Sequence, residues 1–201
     1  MNTSLHPLPS TRHPFPAFGS GAFSTLQAGG LVLLPTTNLW QVVAHARRPA
    51  AVNRLLDLCP RSPLNTPELL FPDTQLLRAW CPRIHPTLET LLAYHHRPLT
   101  LLVPAGPNVP LSLINDRGEV AVRLVRDSYC YRLLEDTEAP LVACTAAGGQ
   151  ATELPTSFGR IQDDVLRGVQ FVSRRRQREV LGDRVAVMVR MGVEGLEFVR
   201  L

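Results

Sequence analysis

Short apolar runs separated by polar and proline- or glycine-rich segments predict an alternation of strands and helices along this chain. The run LVLL at residues 31–34 lies between Gly29-Gly30 and Pro35, as expected of a buried central strand. Residues 22–28 predict a short helix that ends at the glycine pair. Further strands are predicted at residues 68–71, 100–103, 119–124, 141–144, 169–172, 185–191 and 196–201.

Apolar residues that recur at intervals of three and four predict the remaining helices. Between residues 38 and 58 this spacing predicts two helices, divided at Arg47-Arg48-Pro49. Other helices are predicted at residues 73–80, 86–94, 128–134 and 158–167. The alternation favours the α/β class, with a single domain over residues 22–201 and a mixed, twisted sheet. Residues 1–21 are rich in proline and predict a poorly ordered N-terminal lead-in.

Composition adds one unusual feature to this picture, which is the absence of lysine. Of the 201 residues 45% are hydrophobic and 19% charged, which excludes a disordered chain. The longest apolar run is too short to cross a bilayer and the N-terminus has no apolar signal region, so a cytoplasmic protein without membrane contact is expected. All 21 basic residues are arginine and the net charge is +4, which allows contact with nucleic acid without requiring it. No lysine is available to bind phosphate or to form a Schiff base.

The cysteines and histidines are spaced too irregularly to predict a metal site. His45, His95 and His96 have no carboxylates at ligand spacing, so no zinc site is expected. No motif supports a nucleophilic Cys–His pair, although composition alone leaves one open. The cysteines lack a C-x-x-C pair and predict buried structural thiols rather than a disulfide framework, at Cys59, Cys81, Cys130 and Cys144.

Five short segments follow one another in an order and spacing typical of one protein family. They are GGLVLLPTTNLW at 29–40, CPR at 59–61, RPLT at 97–100, EVAVRL at 119–124 and PLVACTAAGG at 140–149. These segments resemble the YrdC-like domain family of threonylcarbamoyl-AMP synthases, whose motifs are G-G followed by a hydrophobic run and P-T-D-T, then K-x-R, K-P-L-T, a strand ending in R-x-P, and S-A-N-x-S-G. The resemblance covers residues 22–201 and is carried by the five segments together.

The resemblance implies a fold, a reaction and partners. The fold would be a twisted mixed sheet with flanking helices and a concave groove that binds a ligand or RNA. The family makes threonylcarbamoyl-AMP from L-threonine, bicarbonate and ATP with release of pyrophosphate, for the threonylcarbamoyladenosine modification of tRNA. Magnesium would accompany the ATP and have few protein ligands. Nucleotide and L-threonine are thus the implied ligands, and tRNA or double-stranded RNA are further candidate partners, since related YrdC-like domains bind double-stranded RNA.

The matching positions supply candidate binding residues for nucleotide or substrate. Thr36 and Asn38 could hydrogen-bond a small polar ligand, although Thr37 or Asn38 could equally cap a following helix. Arg61 keeps the arginine of K-x-R and is either a phosphate ligand or a solvated loop residue. Arg123, at the end of a buried strand, is the strongest candidate for an anion ligand.

The last motif keeps a hydroxyl at Thr145, in place of the serine of S-A-N. Elsewhere the polar residues of the motifs are replaced: the lysine by Cys59, the aspartate by Thr37 and the asparagine by Ala147. Residues 186–188 are apolar where the family often has a serine pair. Loss of a cation near a transferring group removes transition-state stabilisation. The pattern predicts a divergent paralogue with weak or lost synthase activity, and an active synthase is the alternative.

The segment SRRRQR at residues 173–178 is the densest group of positive charges in the chain. Its arginines Arg174, Arg175 and Arg176 could contact RNA phosphates. No aromatic residues are interleaved to stack on bases, so a solvated loop between two late strands is the other interpretation.

Overall fold

The computed structural model describes residues 20–95, 97–149, 152–182 and 185–200. Its helices are α1 (Ser20–Gln27), α2 (Pro49–Leu58), α3 (Thr74–Trp80), α4 (Pro86–Tyr94), α5 (Ser128–Thr137) and α6 (Asp163–Gly168), with 3-10 turns at Leu111–Leu113 and Phe158–Arg160. Its strands are β1 (Val32–Pro35), β2 (Trp40–His45), β3 (Glu68–Phe71), β4 (Leu99–Pro104), β5 (Glu119–Leu124), β6 (Leu141–Thr145), β7 (Phe171–Val172), β8 (Val187–Gly192) and β9 (Gly195–Arg200).

These strands form one mixed sheet in the order β7-β1-β2-β6-β3-β5-β4-β8-β9. The pairs β1–β7, β3–β5 and β4–β8 are parallel, and the other neighbours are antiparallel. Helices pack on both faces of the sheet. The predicted α/β class with a mixed sheet and flanking helices is therefore confirmed.

Side-chain alternation along the strands divides the interior between the two faces of the sheet. On the first face Val42, Leu101 and Val122 belong to the larger core, which α2, α3 and α4 cover. On the second face Val43 and Leu70 pack against α1 and α5. Farther along this second face the alternating positions of β3, β5 and β4 carry polar side chains, and these belong to the candidate site.

The first of the two helices predicted between residues 38 and 58 is wrong, because residues 40–45 form β2. This strand pairs with β1 in an antiparallel hairpin, in the register Val32↔Val43 to Pro35↔Trp40. All six of its residues are buried, so no alternation of polar and apolar residues marks it as a strand. The apolar positions 39, 42, 43 and 46 then match helical spacing by coincidence. The second predicted helix is confirmed as α2, with Pro49 in its first turn.

The helix predicted at residues 158–167 is divided in the structure. A 3-10 turn ends at Arg160, and α6 begins at Asp163, where Asp163 and Asp164 favour a helix N-terminus. The predicted N-terminal lead-in covers residues 1–21, and residues 1–19 of it lie outside the described part of the chain. Ser20 begins α1, so the predicted domain boundary at residue 22 lies inside this helix.

The glycine pair ends α1 as predicted. Gly29 has φ +79°, and the N–H of Gly30 donates to the carbonyl oxygen of Thr25 at 2.7 Å, which is the hydrogen-bond pattern of a Schellman cap. None of the helices in the described ranges is long and apolar enough to span a bilayer.

Candidate functional site

A cavity lies where the β1–β2 loop, the end of β5 and the connection from α4 to β4 meet. Because β4 and β5 are antiparallel, the start of β4 lies beside the end of β5. Thr36 and Thr37 line the cavity from the loop, Arg123 and Arg126 from the end of β5, and Arg97 from the connection. Its empty volume is about 520 Å³, part of it open to solvent. Three arginines therefore face one small cavity.

Arg123 forms a buried ion pair with Glu68. Its Nη2 atom lies 2.6 Å from Oε1 of Glu68, and the two side chains are only 8% and 7% exposed. The same Nη2 donates to Oε1 of Gln41 at 2.7 Å, and Nη1 is 3.4 Å from Oδ1 of Asn38. The guanidinium predicted to bind an anion is thus already paired with a carboxylate of the protein.

Gln41 and Thr100 complete the hydrogen bonds of the Glu68 carboxylate. Gln41 donates from Nε2 to Oε1 at 2.9 Å, and the Thr100 hydroxyl donates to Oε2 at 2.8 Å. Gln41, Glu68, Thr100 and Arg123 are each at least 90% buried and all lie on the second face of the sheet. We call these four residues the buried polar cluster. Its formal charges cancel, and its hydrogen bonds compensate for much of the desolvation of the two ions.

The sheet order explains how these four side chains meet. Gln41 comes from β2 and Glu68 from β3, with β6 between them. The β6 residue that pairs with both strands near this point is Ala143, whose small side chain leaves space above the sheet. Strand β5 lies between β3 and β4, so Glu68 approaches Arg123 from one side and Thr100 approaches it from the other.

Thr36 holds the β1–β2 loop closed. Its hydroxyl donates to the carbonyl oxygen of Leu39 at 2.8 Å, and its N–H donates to the same oxygen at 2.9 Å. Thr37 is exposed, whereas Asn38 is buried beside Arg123. The alternative in which Thr37 or Asn38 caps a helix is wrong, because strand β2 follows this loop.

Cys59 and Arg61 lie in the loop after α2, and neither lines the cavity. Cys59 is 1% exposed and belongs to the larger core, where burial raises the pKa of its thiol to about 12. Arg61 is exposed and donates from Nη2 to the carbonyl oxygen of Ser112 at 3.1 Å. Asn65 holds this loop by donating to the carbonyl oxygens of Cys59 and Pro60. The loop therefore directs no positive charge into the cavity.

Thr145, at the end of β6, is buried and also lies outside the cavity lining. Its N–H donates to Oδ1 of Asn65 at 2.8 Å, which joins the end of β6 to the loop after α2. The structure thus places Thr36 and Arg123 in the lining of one cavity, with Asn38 buried against Arg123, and it places Arg61 and Thr145 elsewhere.

The arginines of segment 173–178 have different surroundings. Arg174 is exposed. The guanidinium carbon of Arg175 lies 5.0 Å from the ring centre of Tyr129 on α5, within the range of a cation–π contact. Arg176 donates from Nη1 to the carbonyl oxygen of Thr36 at 3.0 Å and from Nε to Glu179 at 2.7 Å. The segment is anchored to the loop beside the cavity rather than free in solvent along its whole length.

Comparison with known proteins identifies the family. Residues 24–193 match the model of the Sua5, YciO and YrdC family, which is described as telomere recombination. The chain belongs to this family. A threonylcarbamoyl-AMP synthase from Alkalilimnicola ehrlichii is 32% identical over 140 residues, which are 67% of this chain and 73% of that protein. The resemblance to YrdC-like domains is therefore confirmed.

Solved structures share the architecture. Escherichia coli YciO matches 89% of this chain and 86% of its own, with a TM-score of 0.74 and 16% identity. P. abyssi Sua5 complexed with L-threonine also has a TM-score of 0.74, with 22% identity over 89% of this chain and 52% of its own. This chain thus spans about half of that Sua5 chain, and the likeness at such identities shows the fold.

Several residues of the site were missed by sequence reasoning. Glu68 neutralises Arg123, Gln41 accepts a hydrogen bond from it, and Arg97 and Arg126 line the cavity. One signal was present, since Glu68 opens the otherwise apolar strand ELLF and a carboxylate in a buried strand needs a partner. Arg97 occupies the lysine position of the K-P-L-T motif, a signal that was used only to locate β4, and Arg126 carries no signal because exposed arginines are common in loops.

All four cysteines are buried free thiols, as predicted. Burial raises the pKa of Cys81 to about 11 and that of Cys130 well above its ordinary value. Such thiols are protonated at neutral pH and are poor nucleophiles. Within the described ranges no group of three His, Cys, Asp or Glu side chains could hold a metal ion.

Proposed function

We propose that this domain binds a nucleotide or a related phosphate-bearing ligand in its cavity and has weak or lost synthase activity. One observation carries the proposal: the loop that matches K-x-R gives no cation to the cavity. Cys59 is a neutral buried thiol, and Arg61 bonds to the carbonyl oxygen of Ser112. Adenylyl transfer depends on cations around the transferring group. Loss of one such cation raises the activation barrier by several kcal/mol, on the order of 3.

Binding is supported by the charges that remain. Arg97 and Arg126 are exposed side chains in the cavity lining, so they can meet a phosphate without breaking a buried ion pair. Arg126 is oriented by a hydrogen bond of 2.8 Å from Nη2 to the carbonyl oxygen of Leu92. Thr36 and Thr37 also line the cavity and provide polar groups. L-threonine and ATP with magnesium are the first ligands to test, because relatives of this chain are threonylcarbamoyl-AMP synthases.

RNA is the second candidate partner, as tRNA or a double-stranded segment. Arg174 and Arg178 are exposed in segment 173–178, and neither lines the cavity. Phosphate contacts by two or three arginines would give weak binding that falls steeply with salt. Arg176 contributes less to this interpretation than Arg174, because it is already bonded to Thr36 and Glu179.

The decisive measurement is pyrophosphate release from ATP in the presence of L-threonine and bicarbonate, beside titration of ATP binding. We expect ATP to bind, and we expect the rate of pyrophosphate release with L-threonine to equal the background rate measured without it. Turnover comparable to that of a threonylcarbamoyl-AMP synthase assayed in parallel would establish the active-enzyme alternative instead. Arg97→Gln should weaken ATP binding, and Arg174→Gln, which changes the charge equally at an exposed site outside the cavity, should not.

A further inference from the structure

The Arg123 guanidinium lines the cavity, yet its charge is cancelled within the protein. Its Nη2 atom donates a hydrogen bond to Oε1 of Gln41 at 2.7 Å and forms an ion pair with Oε1 of Glu68 at 2.6 Å. Because the ion pair is buried, the attraction is weakly screened by solvent. An anion entering the cavity meets a neutral pair at this point.

The Glu68 carboxylate is liganded as a bound substrate carboxylate would be. Three residues hold it: Arg123 forms an ion pair with Oε1, Gln41 donates to Oε1, and the Thr100 hydroxyl donates to Oε2. They come from three strands, and Gln41 bridges the pair by donating to Glu68 and accepting from Arg123. The buried polar cluster is thus a complete carboxylate-binding site whose ligand belongs to the chain itself.

We propose that Glu68 is a specificity-determining residue, an internal ligand that occupies Arg123 and excludes anionic ligand groups from it. The inference rests on the proposed function, since it concerns which ligands the same cavity accepts. To take Glu68's place, an external anion would have to leave that carboxylate buried without its cation, which is strongly unfavourable. The anionic group of a ligand is therefore directed to Arg97 and Arg126, and the part near Arg123 must be uncharged and polar.

The test replaces Glu68 by glutamine, which keeps the size of the side chain, removes its charge and exchanges one acceptor oxygen for an amide donor. Inorganic pyrophosphate is the probe, titrated calorimetrically at fixed ionic strength into wild type, Glu68→Gln and Glu119→Gln. Glu119 is a matched control, because it is a carboxylate on β5 whose partner is Arg190, at 3.5 Å, and not Arg123. We expect Glu68→Gln to bind pyrophosphate at least about tenfold more tightly than wild type, and Glu119→Gln to stay within about threefold. The double variant Glu68→Gln/Arg123→Gln should lose the gain.

Unchanged affinity in folded Glu68→Gln, or an equal gain in Glu119→Gln, would overturn the inference. If Glu68→Gln shows no folding transition even with pyrophosphate, the pyrophosphate affinity of Thr100→Val tests the inference instead. That isosteric change removes one donor from Glu68 and no charge, and it should raise pyrophosphate affinity by about threefold; no rise would overturn the inference. Synthase turnover by wild type would refute the proposed function alone. Unchanged pyrophosphate affinity in Glu68→Gln would refute only the role of Glu68.

Discussion

Arg176 donates a hydrogen bond of 3.0 Å from Nη1 to the carbonyl oxygen of Thr36, 140 positions away in the chain. The bond joins the segment after β7 to the loop between β1 and β2. Arg176 adopts φ +55°, a left-handed conformation that is uncommon for a residue with a side chain. The segment turns at this residue so that the guanidinium reaches the wall of the cavity.

The first prediction concerns the stability that this contact provides. Arg176→Ala removes a charge-assisted hydrogen bond and the ion pair with Glu179, and it should lower the free energy of unfolding by about 1 kcal/mol. We expect a fall in Tm of about 2–4 °C, measured by thermal unfolding. Arg174→Ala, two residues earlier at an exposed position, should leave Tm unchanged. Equal effects of the two substitutions would mean that the contact with Thr36 does not stabilise the fold.

Most of the fold could be predicted from the sequence, because its elements are short and clearly bounded. Strands β3 and β5 and helix α4 have the predicted limits, since turn residues or prolines flank each one. Strand β2 could not be predicted from periodicity. Its residues are buried on both faces, so the alternation that marks a strand is absent, and only the pairing with β1 and β6 defines it.

The candidate site was predictable only in part. Arg123 was found from its motif, and its place in the cavity follows from its position at the end of β5. Its partner was not found, because Glu68 lies 55 positions earlier and only the parallel pairing of β3 with β5 brings the two together. Motif resemblance pointed to Arg123, but it does not show that Glu68 neutralises this arginine, and Arg61 and Thr145 were indicated in the same way although they lie outside the cavity lining.

The second prediction concerns the energetics of the Glu68–Arg123 pair. Arg123→Met leaves the Glu68 carboxylate buried without a cation, so it should cost about 3–5 kcal/mol of unfolding free energy, measured by urea denaturation. The double variant Arg123→Met/Glu68→Leu removes both charges and should recover most of this loss. If the double variant is as unstable as the sum of the single ones, the two residues are not coupled.

The third prediction concerns the reactivity of the cysteines. Burial raises the pKa of Cys59 to about 12 and of Cys81 to about 11, and Cys130 and Cys144 are shifted in the same direction. The thiolate is the reactive form, so at pH 8 the native protein should show no fast reaction with a thiol reagent such as a dithiobisbenzoate. All four thiols should react once urea unfolds the chain. A rapidly labelled cysteine in the native protein would show that the part of the fold around that cysteine opens readily.

The last prediction concerns the pH dependence of stability at His45. This residue is 5% exposed at the end of β2, and its pKa is lowered below 6.5 by burial and, to a lesser extent, by the positive charges of Arg48 and Arg47. Because the folded pKa is the lower one, the unfolded chain takes up the proton first as the pH falls. The stabilising contribution of neutral His45 is therefore fully present above pH 6.5 and is lost as the pH falls through the folded pKa.

Urea denaturation between pH 7.5 and 5.5 measures this contribution. His45→Gln cannot titrate, so its stability should fall less over this range than that of wild type, by at most about 1.4 kcal/mol per pH unit. Arg48→Gln keeps the histidine and removes one of the charges that lower its pKa, so its pH dependence should lie between the two. If His45→Gln and wild type lose stability in parallel, His45 is protonated as easily in the folded chain as in the unfolded one, and burial at the end of β2 does not control its charge.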